Sequence, residues 1–140
     1  MHITLPDNLF SVEKWKAFKG RYPPGSDTDH RIIIVFKQDG VLKYFYVTSQ
    51  VEKARKMAKK DSKSLVYING NDWSALTTES CIQCGKGYLF ELSEAEFRKD
   101  YSKGKVKPLG KIPEKVIKSI IFAICSSKTF DDKEKAIYMV

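Results

Sequence analysis

Two runs of β-branched and aromatic residues, 32–36 and 41–47, stand on either side of Lys37-Gln38-Asp39-Gly40. Apolar runs of strand length joined through Asp-Gly predict a β-hairpin, because these two residues enter the positive-φ turn at the lowest cost. An antiparallel hairpin brings its two ends together. His30 and Arg31 at the start, and Thr48 and Ser49 at the finish, are therefore expected at one edge of a sheet.

The rest of the chain supplies shorter signals. Across residues 1–22 the pattern is mixed: Ser11 ahead of Val12, Trp15 and Phe18 fits a short capped helix, and the same stretch also permits a strand, so both stay open. Pro23-Pro24-Gly25-Ser26-Asp27-Thr28-Asp29 reads as a loop of the size that forms lids and binding loops. Residues 49–60 predict a helix with Val51, Ala54, Met57 and Ala58 on one side and basic residues on the other. Strands are predicted over 64–68, ended by an Asn69-Gly70-Asn71-Asp72 turn, over 80–83 and over 88–92. Ser93-Glu94-Ala95-Glu96 is a capping-box sequence opening a helix through Tyr101, and 103–110 reads as a basic loop containing Pro108. Pro113 suits a first helical position, and Val116, Ile117, Ile120, Ile121 and Ile124 share a face, so an amphipathic helix reaching about Ser127 should pack on the sheet. Residues 131–140 read as a final strand or a loose tail. Short strands interrupted by short helices predict a mainly β chain with α additions, an α+β single domain over 1–140. A small antiparallel barrel with a C-terminal amphipathic helix fits best, with 1–22 as an N-terminal extension.

Composition narrows the function more than the fold. With 42% hydrophobic residues the chain is an ordinary folded protein, and no run approaches the roughly 18 apolar residues of a membrane span. The first ten residues lack a basic start and an apolar signal core, so a cytoplasmic location is expected. The three cysteines, Cys81, Cys84 and Cys125, are an odd number, and the single Cys-x-x-Cys lacks the second pair that a zinc site wants. Neither metal nor cofactor is expected. The formal charge of +8 points to nucleic acid or an acidic protein as partner. The basic residues gather in two groups, one from Lys53, Arg55 and Lys56 to Lys63, the other from Arg98 to Lys111, and solvated surface lysines explain them as well as a phosphate-tracking surface does.

In order along the chain, several landmarks resemble one family. Gly25-Ser26-Asp27 is similar to a Gly-Ser-Glu loop, His30-Arg31-Ile32-Ile33-Ile34-Val35 to an Arg-Pro followed by an apolar strand, and Val47-Thr48-Ser49 to a strand end carrying a catalytic threonine or serine. Glu79-Ser80-Cys81-Ile82 is similar to Asp-Ser-x-Ile, and Leu109-Gly110-Lys111-Ile112 to the Leu-x-x-Leu opening of a last helix. The series resembles the MazF/PemK/Kid toxins, and covers roughly 23–127. The resemblance implies an SH3-like barrel that cuts single-stranded RNA as a homodimer without a metal, silenced by an antitoxin protein. One departure is specific: the family's Arg-Pro is His30-Arg31 here, and with the strands in register His30 falls on the arginine's place.

Metal-free cleavage of RNA needs a base for the ribose 2′-hydroxyl, a cation for the charge developing on phosphorus and an acid for the leaving oxygen. By resemblance Arg31 is the phosphate cation, and Thr48, with Ser49 beside it, bonds the phosphate or positions the arginine. Near that edge His30 is the one residue with an ordinary pKa suited to proton transfer near neutrality, and Asp27 or Asp29 is in place to orient it. Lys53, Arg55, Lys56, Trp73 and Ser80 are the candidate RNA contacts, with Tyr67 as a second stacking aromatic. Each has a plainer role: Thr48 or Ser49 as a helix cap, Arg31 paired with Asp29, Ser80 bonded to backbone, Trp73 and Tyr67 in packing. A non-catalytic module holding RNA or protein, or a poison of an enzyme, remains the alternative. Adjacent strand residues face opposite ways, so His30 and Arg31 enter one pocket together only if the strand begins after them.

Overall fold

A computed structural model describes residues 10–138 of the chain. It is α+β: β1 (Lys16–Gly20), β2 (His30–Gln38), β3 (Val41–Thr48), α1 (Val51–Met57), β4 (Leu65–Ile68), β5 (Ser80–Gln83), β6 (Phe90–Ser93), α2 (Glu94–Ser102), β7 (Lys107–Lys111), α3 (Glu114–Ser126) and α4 (Asp132–Tyr138). The strands form a 7-stranded antiparallel sheet in the order β4-β5-β3-β2-β1-β7, with β6 beside β3. The sheet is open, with β4 and β7 at its ends.

The hairpin of β2 and β3 is the centre. Asp39 and Gly40 have φ of 51° and 76°, the pair of left-handed residues that lets a two-residue turn follow the twist of its strands. Alternation along β2 divides its side chains between two cores. Ile33 and Val35 join Phe45 and Val47 beneath α3, whose Val116, Ile117, Ile120 and Ile124 complete that layer. Ile32 and Ile34 join Leu42 and Tyr44 on the opposite face, covered by Phe97 and Tyr101 of α2 and by Phe10, Phe18 and Tyr22. A strand buried on both faces has to be apolar at successive positions, which accounts for the unbroken Ile32-Ile33-Ile34-Val35 run.

Elsewhere the local signals translate with shifts. Ser93 caps α2 by accepting from the Glu96 amide at 3.3 Å, and Pro113 sits just outside α3 as its N-cap rather than as its first residue. The open choice in 1–22 resolves for its described part: residues 16–20 are strand β1, whereas 1–9 lie outside the described residues. Two expectations are corrected. The basic loop at 103–110 contains most of β7, which pairs with β1; Pro108 is tolerated there because an edge strand needs no amide on its outer side. The final strand or tail is instead helix α4, opened by a reciprocal box in which the Asp131 carboxylate accepts from the Glu134 amide at 2.7 Å and Glu134 accepts from the Asp131 amide at 3.1 Å.

Candidate functional site

β3 changes partner along its outer edge. Residues 41–44 pair with β6, and Val47 and Thr48 pair with Ile82 and Cys81 of β5. Where β3 ends, β2 begins and β5 begins, so three strand termini meet at one place. A recess of about 280 Å³ opens there. Its walls are Thr28 to Arg31 from the loop and β2, Val47 to Gln50 from the end of β3, and Leu76, Thr77, Thr78 and Ser80 from the segment leading into β5. The chain's own topology thus brings His30, Arg31, Thr48, Ser49 and Ser80 to one mouth.

Within that mouth the side chains differ in how they are held. β2 begins at His30 itself, so the condition under which the two would enter one pocket together is not met, and the imidazole and the guanidinium leave the strand on opposite faces. The His30 ring packs edge-on against Tyr46 at 5.2 Å, and its Nδ1 lies 3.0 Å from the Tyr22 carbonyl oxygen. Arg31 shares the face of Ile33, and its Nε is buried with no hydrogen-bond partner among the described residues. The Asp29 carboxylate lies 4.0 Å from Arg21, so the expected surface pairing with Arg31 gives way to another partner. A buried N–H without an acceptor costs about 1–3 kcal/mol.

The hydroxyls are unequal too. Thr48 Oγ1 accepts from the Gln50 amide at 3.1 Å, a turn bond two residues on rather than the helix cap expected of this pair, and retains its proton for a further acceptor. Ser49 is exposed and is not the cap: the N-cap of α1 is Gln50, with no side-chain cap bond. Ser80 is buried and donates to the Thr78 carbonyl at 3.1 Å, its plainer backbone role. Lys53, Arg55 and Lys56 are exposed on α1, beside the mouth.

Trp73 requires a correction. It is 4% exposed in the core with Val66, Ile68 and Leu76, so it offers no face to a base. Tyr67, the other aromatic considered for stacking, is 46% exposed. The sequence also did not single out Lys128, which joins Lys59, Lys60 and Lys63 around a cleft of about 680 Å³ where α3 ends. Asp61 in that cleft is engaged, accepting from Ser127 Oγ at 2.6 Å and the Lys128 amide at 2.9 Å. Only folding brings a residue 65 positions away beside the first basic group.

Cys81 packs with Ala54, Ala58 and Leu65 under α1, and Cys84 lies in the core beneath α3. Burial pushes both thiols up, Cys84 the further. Among the described residues no group of three or more His, Cys, Asp or Glu side chains is placed to hold a metal ion, and no helix is long and apolar enough to cross a membrane. No family model and no curated protein matches this chain. What the arrangement offers chemically is therefore read from the mouth itself: a guanidinium with an unsatisfied donor, with hydroxyls and an imidazole lining the same recess.

Proposed function

We propose that the chain is a PemK/MazF-like toxin domain, an SH3-like barrel in kind, that binds single-stranded RNA at this mouth and cleaves it without a metal. The proposal extends to a homodimer as the working unit and to an antitoxin protein as its inhibitor, both carried by the resemblance. One observation supports it most: Arg31, with its unpartnered Nε, lies in the same recess as Thr48, Ser49, Ser80 and His30. In the reaction the ribose 2′-oxygen bonds to phosphorus as the bond from phosphorus to the 5′-oxygen breaks. His30 accepts the 2′-proton, Arg31 and the hydroxyls hold the charged phosphoryl oxygens, and solvent water gives the departing 5′-oxygen its proton.

The second proposal is a non-catalytic RNA-binding module, and the opposite faces of His30 and Arg31 favour it. Incubation of the protein with mixed RNA in EDTA separates the two. The nuclease yields fragments that Arg31→Ala abolishes. Intact RNA held in a salt-sensitive complex, weakening steeply as salt rises, identifies the binding module and sinks the nuclease. RNA neither held nor cut removes both.

A further inference from the structure

We propose that Tyr67 is a stacking platform for one base of a single-stranded RNA, braced by Arg55. The proposal rests on the mouth being an RNA site and deepens it by naming a base subsite beside it. Along β4 the residues on either side of Tyr67, Val66 and Ile68, are 6% and 4% exposed, whereas Tyr67 itself is 46% exposed. The register gives the ring its address. Tyr67 pairs with Cys81 and Cys81 with Thr48, so all three lie in one row on one face, and Thr48 lines the mouth. Two strand spacings separate the ends of the row by roughly 10 Å, about the length of three stacked nucleotides at a rise of about 3.4 Å each.

Arg55 reaches this ring because α1 lies over the middle of the row, with Ala54 and Ala58 packed on Cys81. The guanidinium carbon is 5.5 Å from the Tyr67 ring centroid and its Nε is 3.4 Å from the phenol oxygen. Glu52 takes the other end of the fork, 2.7 Å from Nη1. Those contacts decide the class of ligand. With Glu52 and the phenol already on the guanidinium, and Glu79 adding to the negative field around it, Arg55 is poorly disposed to a phosphate. What stays open is the aromatic surface, and a base stacks on tyrosine whatever its identity. Lys53 and Lys56, three residues apart on α1 and so on one flank of Arg55, have no ion-pair partner among the described residues and suit neighbouring phosphates.

The test uses a 12-nucleotide RNA made uncleavable by 2′-O-methyl groups and a dinucleotide of the same chemistry, titrated against wild type, Tyr67→Ala, Tyr67→Phe and Arg31→Ala. Tyr67→Ala should weaken the 12-mer about five- to hundredfold, Tyr67→Phe should bind it like wild type, and the dinucleotide should not distinguish them. Arg31→Ala should weaken both ligands. Unchanged 12-mer affinity in Tyr67→Ala, with Arg31→Ala still impaired, overturns the platform and leaves the mouth standing. If neither substitution weakens RNA, the mouth fails as an RNA site and the platform with it. Should Tyr67→Ala instead split a dimer at unchanged RNA affinity, the ring is a contact between copies and the proposal is overturned.

Discussion

The Nδ1 of His30 and the carbonyl oxygen of Tyr22 are 3.0 Å apart, and the carbonyl can only accept. In the neutral ring Nδ1 therefore carries the proton and Nε2 the lone pair, the tautomer a general base requires. Arg31, on the other face of the strand, offers charge and N–H donors rather than a base. The two neighbours should then fail in different ways. His30→Ala is expected to lower the single-turnover cleavage rate about 10²- to 10⁴-fold while RNA affinity stays within a few-fold. Arg31→Ala should lower both rate and affinity, and Arg31→Lys should recover the charge but not the two-pronged geometry. Equal loss of affinity in both variants would remove the division of labour.

The turn that sets this strand's position gives a prediction about stability. Gly40 sits at φ 76° in open space, so a methyl group added there clashes with nothing and meets only the backbone's own left-handed strain. Gly40→Ala should cost about 1–2 kcal/mol, whereas Asp39→Gly, which relieves that residue's own φ of 51°, should be near neutral. Urea midpoints at unchanged slope measure both. A larger loss for Asp39→Gly would mean that the aspartate side chain holds the turn.

How much of this was legible beforehand depends on whether local chemistry or distant packing decides. The β2–β3 hairpin announced itself because strand propensity, alternation and the Asp39-Gly40 turn agree, and β5 could be read residue for residue at Ser80–Gln83. β7 could not, since Lys107, Pro108 and Gly110 are poor strand formers that β1 recruits along its free edge. α4 carried a readable cap in Asp131 and Glu134, outweighed by the apolar Ala136-Ile137-Tyr138 that follow. At the site, the meeting of β2's start with β3's end followed from hairpin geometry alone. That Trp73 is buried and Tyr67 exposed did not, because both are aromatics near turns, and only folding tucks the loop that carries Trp73 into the core while β4 turns Tyr67 away from it.

Trp73 accordingly belongs to stability. Its ring packs beside Val66, Ile68 and Leu76, and truncation leaves a cavity that these neighbours cannot close. Trp73→Ala should cost about 3–5 kcal/mol and lower the melting temperature by many degrees. Trp73→Phe should cost less, and RNA affinity measured well below its melting temperature should match wild type. A stable Trp73→Ala variant with weakened RNA binding would return the residue to the ligand.

Two buried tyrosines set the behaviour at alkaline pH. Burial raises the phenol of Tyr44, and burial followed by the hydrogen bond it donates to Asp100 raises that of Tyr22, so both stay protonated in the folded protein beyond the ordinary tyrosine range. In the unfolded chain both ionise at about pH 10. Below that pH their contribution is complete; above it the unfolded state releases protons that the folded state keeps, so stability falls as pH rises. The two phenylalanine variants should diverge at pH 7. Tyr22→Phe loses the bond to Asp100 and is expected to be destabilised, whereas the Tyr44 hydroxyl is buried without a partner among the described residues, so Tyr44→Phe should be neutral or stabilising. Above pH 10 each should lose stability less steeply than wild type, since each has one fewer phenol to ionise on unfolding. Chemical denaturation at pH 7, 9, 10 and 11 reads both effects, and parallel curves for wild type and Tyr44→Phe would show that the Tyr44 phenol is not held above its usual range.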